Sequence, residues 1–173
     1  YLCRRYLPRA AAMTTVCQGI ADEYRQFGVE PTVVLNCPAQ QGLPLRPVDP
    51  RSIRLVHHGV AIPSRRIELM LEMMRHLDER YTLDLMLMNS HSAYGRELRR
   101  KAAGDPRIRF REPVPMERIP ATINDYDIGV FLLPPVNFNY HMALPNKFFE
   151  FVQARLAVAI GPSPEMARLV RQY

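Results

Sequence analysis

Tryptophan is absent from this 173-residue chain. No aromatic RNP-type motif is present either. The basic residues form only short groups, Arg4-Arg5, Arg65-Arg66 and Arg99-Arg100-Lys101. A stacking surface for nucleic acid is therefore not expected. No apolar run approaches the roughly 20 residues that a membrane-spanning helix needs. Internal repeats and low-complexity runs are lacking as well. Cysteine is sparse: Cys3, Cys17 and Cys37 are an odd number without metal-ligand spacing. They fit a reducing compartment better than a disulfide framework. The start, Tyr1-Leu2-Cys3-Arg4-Arg5, has neither an initiator Met nor the pattern of a signal peptide. It is expected to lie inside a longer protein.

What is present is an ordinary globular composition, 47% hydrophobic and 23% charged, enough for one good core with an appended fragment. The net charge of +6 leaves anionic partners to consider. Nucleic acid, an anionic membrane surface and a phosphorylated small molecule all fit that sign.

From residue 46 onward, strand-like and helix-like segments alternate. Strands are predicted at Ser52–His57, Leu83–Met88, Arg107–Phe110, Ile128–Leu133 and Leu156–Ile160. Helices are predicted at Ser64–Leu77 with Ser64 as cap, at Ala93–Ala103, at Glu117–Asn124 interrupted by Pro120, at Pro145–Ala154 and at Pro164–Arg171. Such alternation predicts an α/β fold, a Rossmann-like doubly wound parallel sheet. Ligands of such sheets bind beyond the carboxyl ends of the strands, here near Gly59, Asn89, Pro113, Pro134 and Gly161. Residues 1–45 differ: two short strands around a helix, then the proline-rich stretch Gln40–Pro50, which reads as a linker. The expected division is 1–45, the end of a preceding domain with its linker, and 46–173, a Rossmann-like domain incomplete at its C-terminus.

The segment Leu144-Pro145-Asn146-Lys147-Phe148-Phe149-Glu150 carries the most chemistry. Proline suits a first helical position, because its missing N–H would be unpaired there anyway. Lys147 and Glu150 stand three apart and share a helix face. The free amides and dipole of a helix start attract anions. A cation, amides and a carboxylate on one face suit a nucleotide sugar, with diphosphate at Lys147 and ribose hydroxyls at Glu150. Phe148, Phe151 and Val152 are expected to form the buried stripe of that helix. His57 and His58 are adjacent in a strand, so they point to opposite faces and do not form a metal pair.

In this order of elements the chain resembles the C-terminal donor-binding half of a GT-B glycosyltransferase. The nearest type is the large retaining group, family 4-like, that builds bacterial surface polysaccharides. The likeness runs over about residues 10–173. It rests on Val33-Val34-Leu35-Asn36-Cys37-Pro38, Leu55-Val56-His57-His58-Gly59 followed by Arg65-Arg66-Ile67-Glu68, Tyr126-Asp127-Ile128-Gly129-Val130 and, most specifically, Leu144 to Phe151. That last run is similar to the family's Pro-x-Lys-x-x-Glu-Tyr helix.

The resemblance implies a transferase acting on a nucleotide-diphosphate sugar, of which this chain is mainly the donor-binding part. In isolation it is expected to be inactive, since the acceptor half lies elsewhere. Lys147 and Arg65 would steady the leaving diphosphate as catalytic groups. Gly59, Arg66, Asn146 and Glu150 would bind the donor; Gly59 spacing favours Arg65 over Arg66 without separating them. The base would lie near Arg111–Val114. No cofactor and no metal are implied. The acceptor would be a saccharide or lipid-linked saccharide. The location would be cytoplasmic, with the full-length protein able to sit peripherally at the inner membrane face.

Two departures stand out. Family members often carry Glu-x7-Glu, but Met142 occupies the first position here, so Asn139 or His141 would have to reach the sugar instead. Arg155-Leu156-Ala157 also replaces the usual glycine turn. Two other outcomes share the fold: a sugar-nucleotide epimerase, which needs no acceptor, and a non-catalytic nucleotide-sugar-binding module, which the missing glutamate would favour.

Overall fold

The structure is a computed structural model that describes residues 2–172. In chain order the elements are α1 (Leu2–Tyr6), β1 (Thr14–Thr15), α2 (Gln18–Arg25), β2 (Thr32–Val33), β3 (Ile53–Val60), α3 (Glu68–Met74), β4 (Tyr81–Met88), α4 (Ala93–Ala102), β5 (Ile108–Arg111), α5 (Ile119–Ile123), β6 (Ile128–Phe131), α6 (Phe138–His141), α7 (Asn146–Gln153), β7 (Ala157–Ile160) and α8 (Pro164–Gln172). They fall into two compact units. Of the described residues, one gathers 2–37, 135–146 and 162–172; the other gathers 38–134 and 147–161.

The larger unit holds a five-stranded, all-parallel sheet in the order β5-β4-β3-β6-β7. The order reverses between β3 and β6, which is where a doubly wound sheet opens a crevice for ligand. Four strands come from largely apolar runs, as parallel strands covered on both faces require, whereas the edge strand β5 alternates as Ile-Arg-Phe-Arg. Leu55, Leu83, Leu85, Leu87 and Val130 form a core with Ile67, Met70, Leu71 and Met74 from the α3 region and Leu98 and Ala102 of α4. Met70 and Met74 fill that core with Met73 packed against it, and Met86 is buried too, whereas Met88 at the end of β4 is 50% exposed.

α7 covers β6. Phe151 lies so close to Gly129 that a Cβ there would stand 2.3 Å from the ring, so the strand must have glycine at that point. Farther along the sheet, Asp84 of β4 is buried and accepts hydrogen bonds from Arg109, Arg111 and Tyr126 at 2.6, 2.8 and 2.7 Å. Burial pushes its carboxyl up, but the bonds from Arg111, Tyr126 and Arg109 outweigh that and hold it below the usual range. The proline-rich stretch has no regular structure and is strapped onto the same unit. Asn124 Nδ2 donates to the Pro44 carbonyl at 3.0 Å, Gln153 Nε2 donates to the Gln41 carbonyl at 2.7 Å, and Arg46 pairs with Asp125.

The smaller unit pairs β1 with β2 in parallel, Thr14 against Thr32. Its buried residues include Cys17, Ala21 and Met166. Glu165, near the start of α8, accepts a hydrogen bond from the Gly19 amide at 3.0 Å.

Four predicted details differ. The helix expected over 64–77 begins only at Glu68, because Pro63–Arg65 forms a 3-10 turn and Arg66 adopts a left-handed φ of 50°. Ser64 therefore does not cap it. Pro120 does not interrupt a helix; it sits in the first turn of α5, where its missing N–H costs nothing. The loop expected over 137–142 contains the single helical turn α6, capped by the Asn137 side chain, which accepts from the Tyr140 amide at 2.8 Å. Val152 is 51% exposed, so it is not part of the buried stripe of α7. The buried positions are Lys147, Phe148, Glu150, Phe151 and Ala154, which share one side of a 3.6-residue period; Val152 points the other way.

Candidate functional site

The site stands at the carboxyl end of β3, beside the reversal in strand order. Gly59 is the penultimate residue of β3 and has a φ of +138°. A side chain there would be strained whatever the space. It would also lack space: a Cβ would lie 2.9 Å from Lys147 Nζ and 3.3 Å from Arg65 Nη1. Glycine thus lets an ammonium and a guanidinium close over the strand end.

The turn before α3 decides which arginine takes part. Arg65 ends the 3-10 turn and reaches Gly59. Arg66, in its left-handed conformation, is turned away and pairs with Glu68 at 2.7 Å on an exposed surface. Among the described residues no carboxylate pairs with Arg65.

Lys147 lies in the first turn of α7 and is 7% exposed. Its Nζ donates to the His58 carbonyl at 2.6 Å and sits 4.4 Å from the centre of the Phe131 ring. Neither partner is an anion. Burial, then the Arg65 charge, lowers its pKa to about 7, and Glu150 offsets this only in part. The 2.9 and 3.3 Å approaches to the Gly59 Cβ position leave Lys147 Nζ and Arg65 Nη1 no more than about 6 Å apart, and two unit positive charges at that limit repel by roughly 3 kcal/mol at an effective dielectric near 20. A doubly charged anion would relieve that repulsion.

Glu150, one turn along α7, is 4% exposed. Burial raises its pKa, against the pull of Lys147. Its Oε2 lies 3.3 Å from His58 Nε2, though the pair is not aligned as a hydrogen bond and Nε2 has no such partner. His58 stays neutral, because burial and then Lys147 lower its pKa to about 3. His57 is fully buried, and burial followed by Lys147 lowers its pKa as well. Its Nδ1 lies 2.8 Å from the Val130 carbonyl. A carbonyl only accepts, so Nδ1 carries the proton and His57 Nε2 is left as an unpaired acceptor.

The structure thus brings Gly59, Arg65, Lys147 and Glu150 together within one compact unit. Asn146 opens α7 immediately before Lys147. Asn139 and His141 lie exposed on α6, in the other unit, and Met142 is half-buried there. Arg111, near the expected base loop, is engaged by Asp84. His58 and Phe131 enter the site unannounced: in sequence both look like residues of core strands, and only the His-His-Gly run hints at more.

The expectation of no metal passes over Asp125-Tyr126-Asp127, which has Asp-x-Asp spacing. Those carboxylates are used separately. Asp125 pairs with Arg46, and Asp127 accepts from the Arg54 amide at 2.6 Å. Among the described residues no group of three or more His, Cys, Asp or Glu is placed to hold a metal ion. No described helix is long and apolar enough to cross a membrane.

No protein-family model matches the sequence. No curated protein matches it either. Among solved structures, the crystal structure of Anabaena Alr3699/HepE in complex with UDP and glucose is similar, with a TM-score of 0.61 and 13% identity. The likeness covers 94% of this chain and 53% of HepE, so this chain spans about half the length of that one. At that identity the likeness speaks for the fold alone: a Rossmann-like doubly wound α/β sheet of the GT-B C-terminal kind.

Proposed function

We propose that this chain is the donor-binding part of a glycosyltransferase that moves a sugar from a nucleotide-diphosphate sugar to an acceptor saccharide or lipid-linked saccharide. The observation that carries this is the meeting of Lys147 and Arg65 over Gly59, with the buried carboxylate of Glu150 one turn further along α7. The diphosphate binds to the two cations and the first amides of α7. The helix terminus supplies only about half a unit charge, so the side chains carry most of the work. As the sugar–phosphate bond breaks, negative charge grows on the leaving diphosphate. Lys147 and Arg65 stabilise that charge without reorganising, and no divalent ion is needed for it.

Glu150 accepts hydrogen bonds from the ribose hydroxyls. Asn146 flanks the diphosphate, whereas Arg66, engaged by Glu68, stays out of it. Asn139 and His141 remain sugar contacts proposed from sequence alone. UDP is the nucleotide to try first, because HepE was crystallised with UDP and glucose. A cytoplasmic location and peripheral membrane association belong to the same proposal.

The test is a thermal-shift series with UDP, GDP and ADP. A ligand at a hundred times its Kd stabilises the folded state by about 2.7 kcal/mol, so the matching nucleotide stands out. The proposal is abandoned if no nucleoside diphosphate raises the Tm, or if Lys147→Ala and Glu150→Ala leave transfer by the full-length protein unchanged.

A further inference from the structure

His58 touches both ends of the site, and nothing assigned so far uses its side chain. Its carbonyl takes the ammonium of Lys147 at 2.6 Å, and its imidazole Nε2 lies 3.3 Å from Glu150 Oε2. Both side chains are 6% exposed. Among the described residues no other group pairs with the Glu150 carboxylate. The imidazole cannot drift, because it stands edge-on to Phe151 at 5.4 Å, and Phe151 is pressed against Gly129.

Building on the donor-binding function proposed above, we infer that His58 is a positioning residue for Glu150. Its Nε2–H holds one carboxylate oxygen so that the other is presented to the ribose hydroxyls. A buried carboxylate needs donors, and a ribose supplies two while His58 supplies a third. Nε2 is unpaired as it stands, so the carboxylate has only to turn to align the bond. The donor must also be uncharged. A second lysine or arginine here would neutralise Glu150 and repel Lys147 and Arg65. Burial and Lys147 keep His58 neutral at working pH. The same residue therefore fixes the diphosphate end through its backbone and the ribose end through its ring.

The test compares UDP with 2′,3′-dideoxy-UDP by calorimetric titration of wild type, His58→Phe and His58→Gln. Wild type is expected to prefer UDP by about tenfold or more, the worth of hydrogen bonds to a charged acceptor. His58→Phe keeps the ring shape but has no N–H, and is expected to lose most of that preference while binding dideoxy-UDP as wild type does. His58→Gln restores a neutral N–H and should recover it. Should His58→Phe not fold, His58→Asn, which is too short to reach Glu150, carries the same expectation. A purely structural role would weaken both ligands alike. Full preference in His58→Phe, or equal loss in His58→Gln, overturns the inference and leaves the donor-binding function standing. A wild type that binds both ligands equally also overturns it, by removing the ribose role of Glu150. A wild type that binds neither overturns the donor-binding function itself.

Discussion

Lys147 Nζ is held by the backbone carbonyl of His58 at 2.6 Å, and among the described residues no carboxylate forms an ion pair with it. A buried ammonium held by a carbonyl and a ring is costly for the fold, since desolvating a charge costs several kcal/mol and neutral partners repay only part. Over Gly59 it meets another cation, Arg65. The arrangement favours whatever anion comes to the end of β3.

That cost has a pH signature. The folded-state pKa of Lys147, about 7, lies below its ordinary value of 10.5. Above pH 7 the unfolded chain therefore holds more protons at this position than the folded one, and stability rises with pH until about 10.5. Lys147→Met should be the more stable protein at pH 6–7, by roughly 2 kcal/mol once the lost hydrogen bond and ring contact are discounted. The advantage should fade towards pH 10. Thermal denaturation of both proteins across that range checks it.

Anion binding should run the opposite way. A diphosphate beside Lys147 raises its pKa again, so binding above pH 7 takes up a proton. UDP affinity should fall by up to tenfold per pH unit between about pH 7.5 and 9 in wild type. In Lys147→Met it should be weaker and nearly flat over that range. Titration calorimetry in two buffers of different ionisation enthalpy measures the uptake directly.

Arg65 and Arg66 should separate cleanly. Arg65 faces Gly59, whereas Arg66 is engaged with Glu68 in an exposed pair. Arg65→Met is expected to weaken UDP binding about tenfold or more, the worth of a charge-assisted contact. Arg66→Met should change it by less than about threefold, as exposed pairs are worth little. Equal effects of the two substitutions would contradict the geometry.

Gly59→Ala tests the close approach. The new methyl would meet Lys147 Nζ at 2.9 Å in a backbone conformation that alanine resists. A loss of about 1–3 kcal/mol in stability is expected. Nucleotide binding should fall further than that loss explains, because the lysine is displaced. Chemical denaturation alongside UDP titration separates the two effects.

Asp84 anchors the opposite half of the sheet. Its folded pKa is lowered, so its contribution is present above the ordinary carboxylate range and is lost as pH falls through the folded value. Asp84→Asn should cost about 2 kcal/mol at pH 7, a modest figure because Arg109 and Arg111 are half exposed. The difference from wild type should close as the pH falls below the ordinary carboxylate range, as followed by acid denaturation.

Much of this was written in the linear chain. Four of the five strands follow largely apolar runs bounded by turn residues, as a parallel sheet with both faces covered needs, and the edge strand β5 alternates instead. Lys147 and Glu150 were legible because a three-residue spacing puts two side chains on one face wherever a helix forms. Gly59 was legible as a turn residue at a strand end. These are local properties, and the residues that determine them are near neighbours in sequence.

Other features depended on what folds against what. The choice between Arg65 and Arg66 came from a left-handed residue after a 3-10 turn, which reverses the aim of adjacent side chains. Val152 carries the same apolar signal as Phe151, yet it points away from the sheet. Above all, the pairing of β3 with β6 and the seating of Phe151 on Gly129 placed α7 over His58. The Lys147/Glu150 pair was thereby buried, and burial changes charge chemistry most. The chain alone determined which residue types are available to meet a nucleotide sugar. Tertiary packing decided that the lysine is desolvated, which arginine stands beside it, and that a neutral histidine lies against the carboxylate.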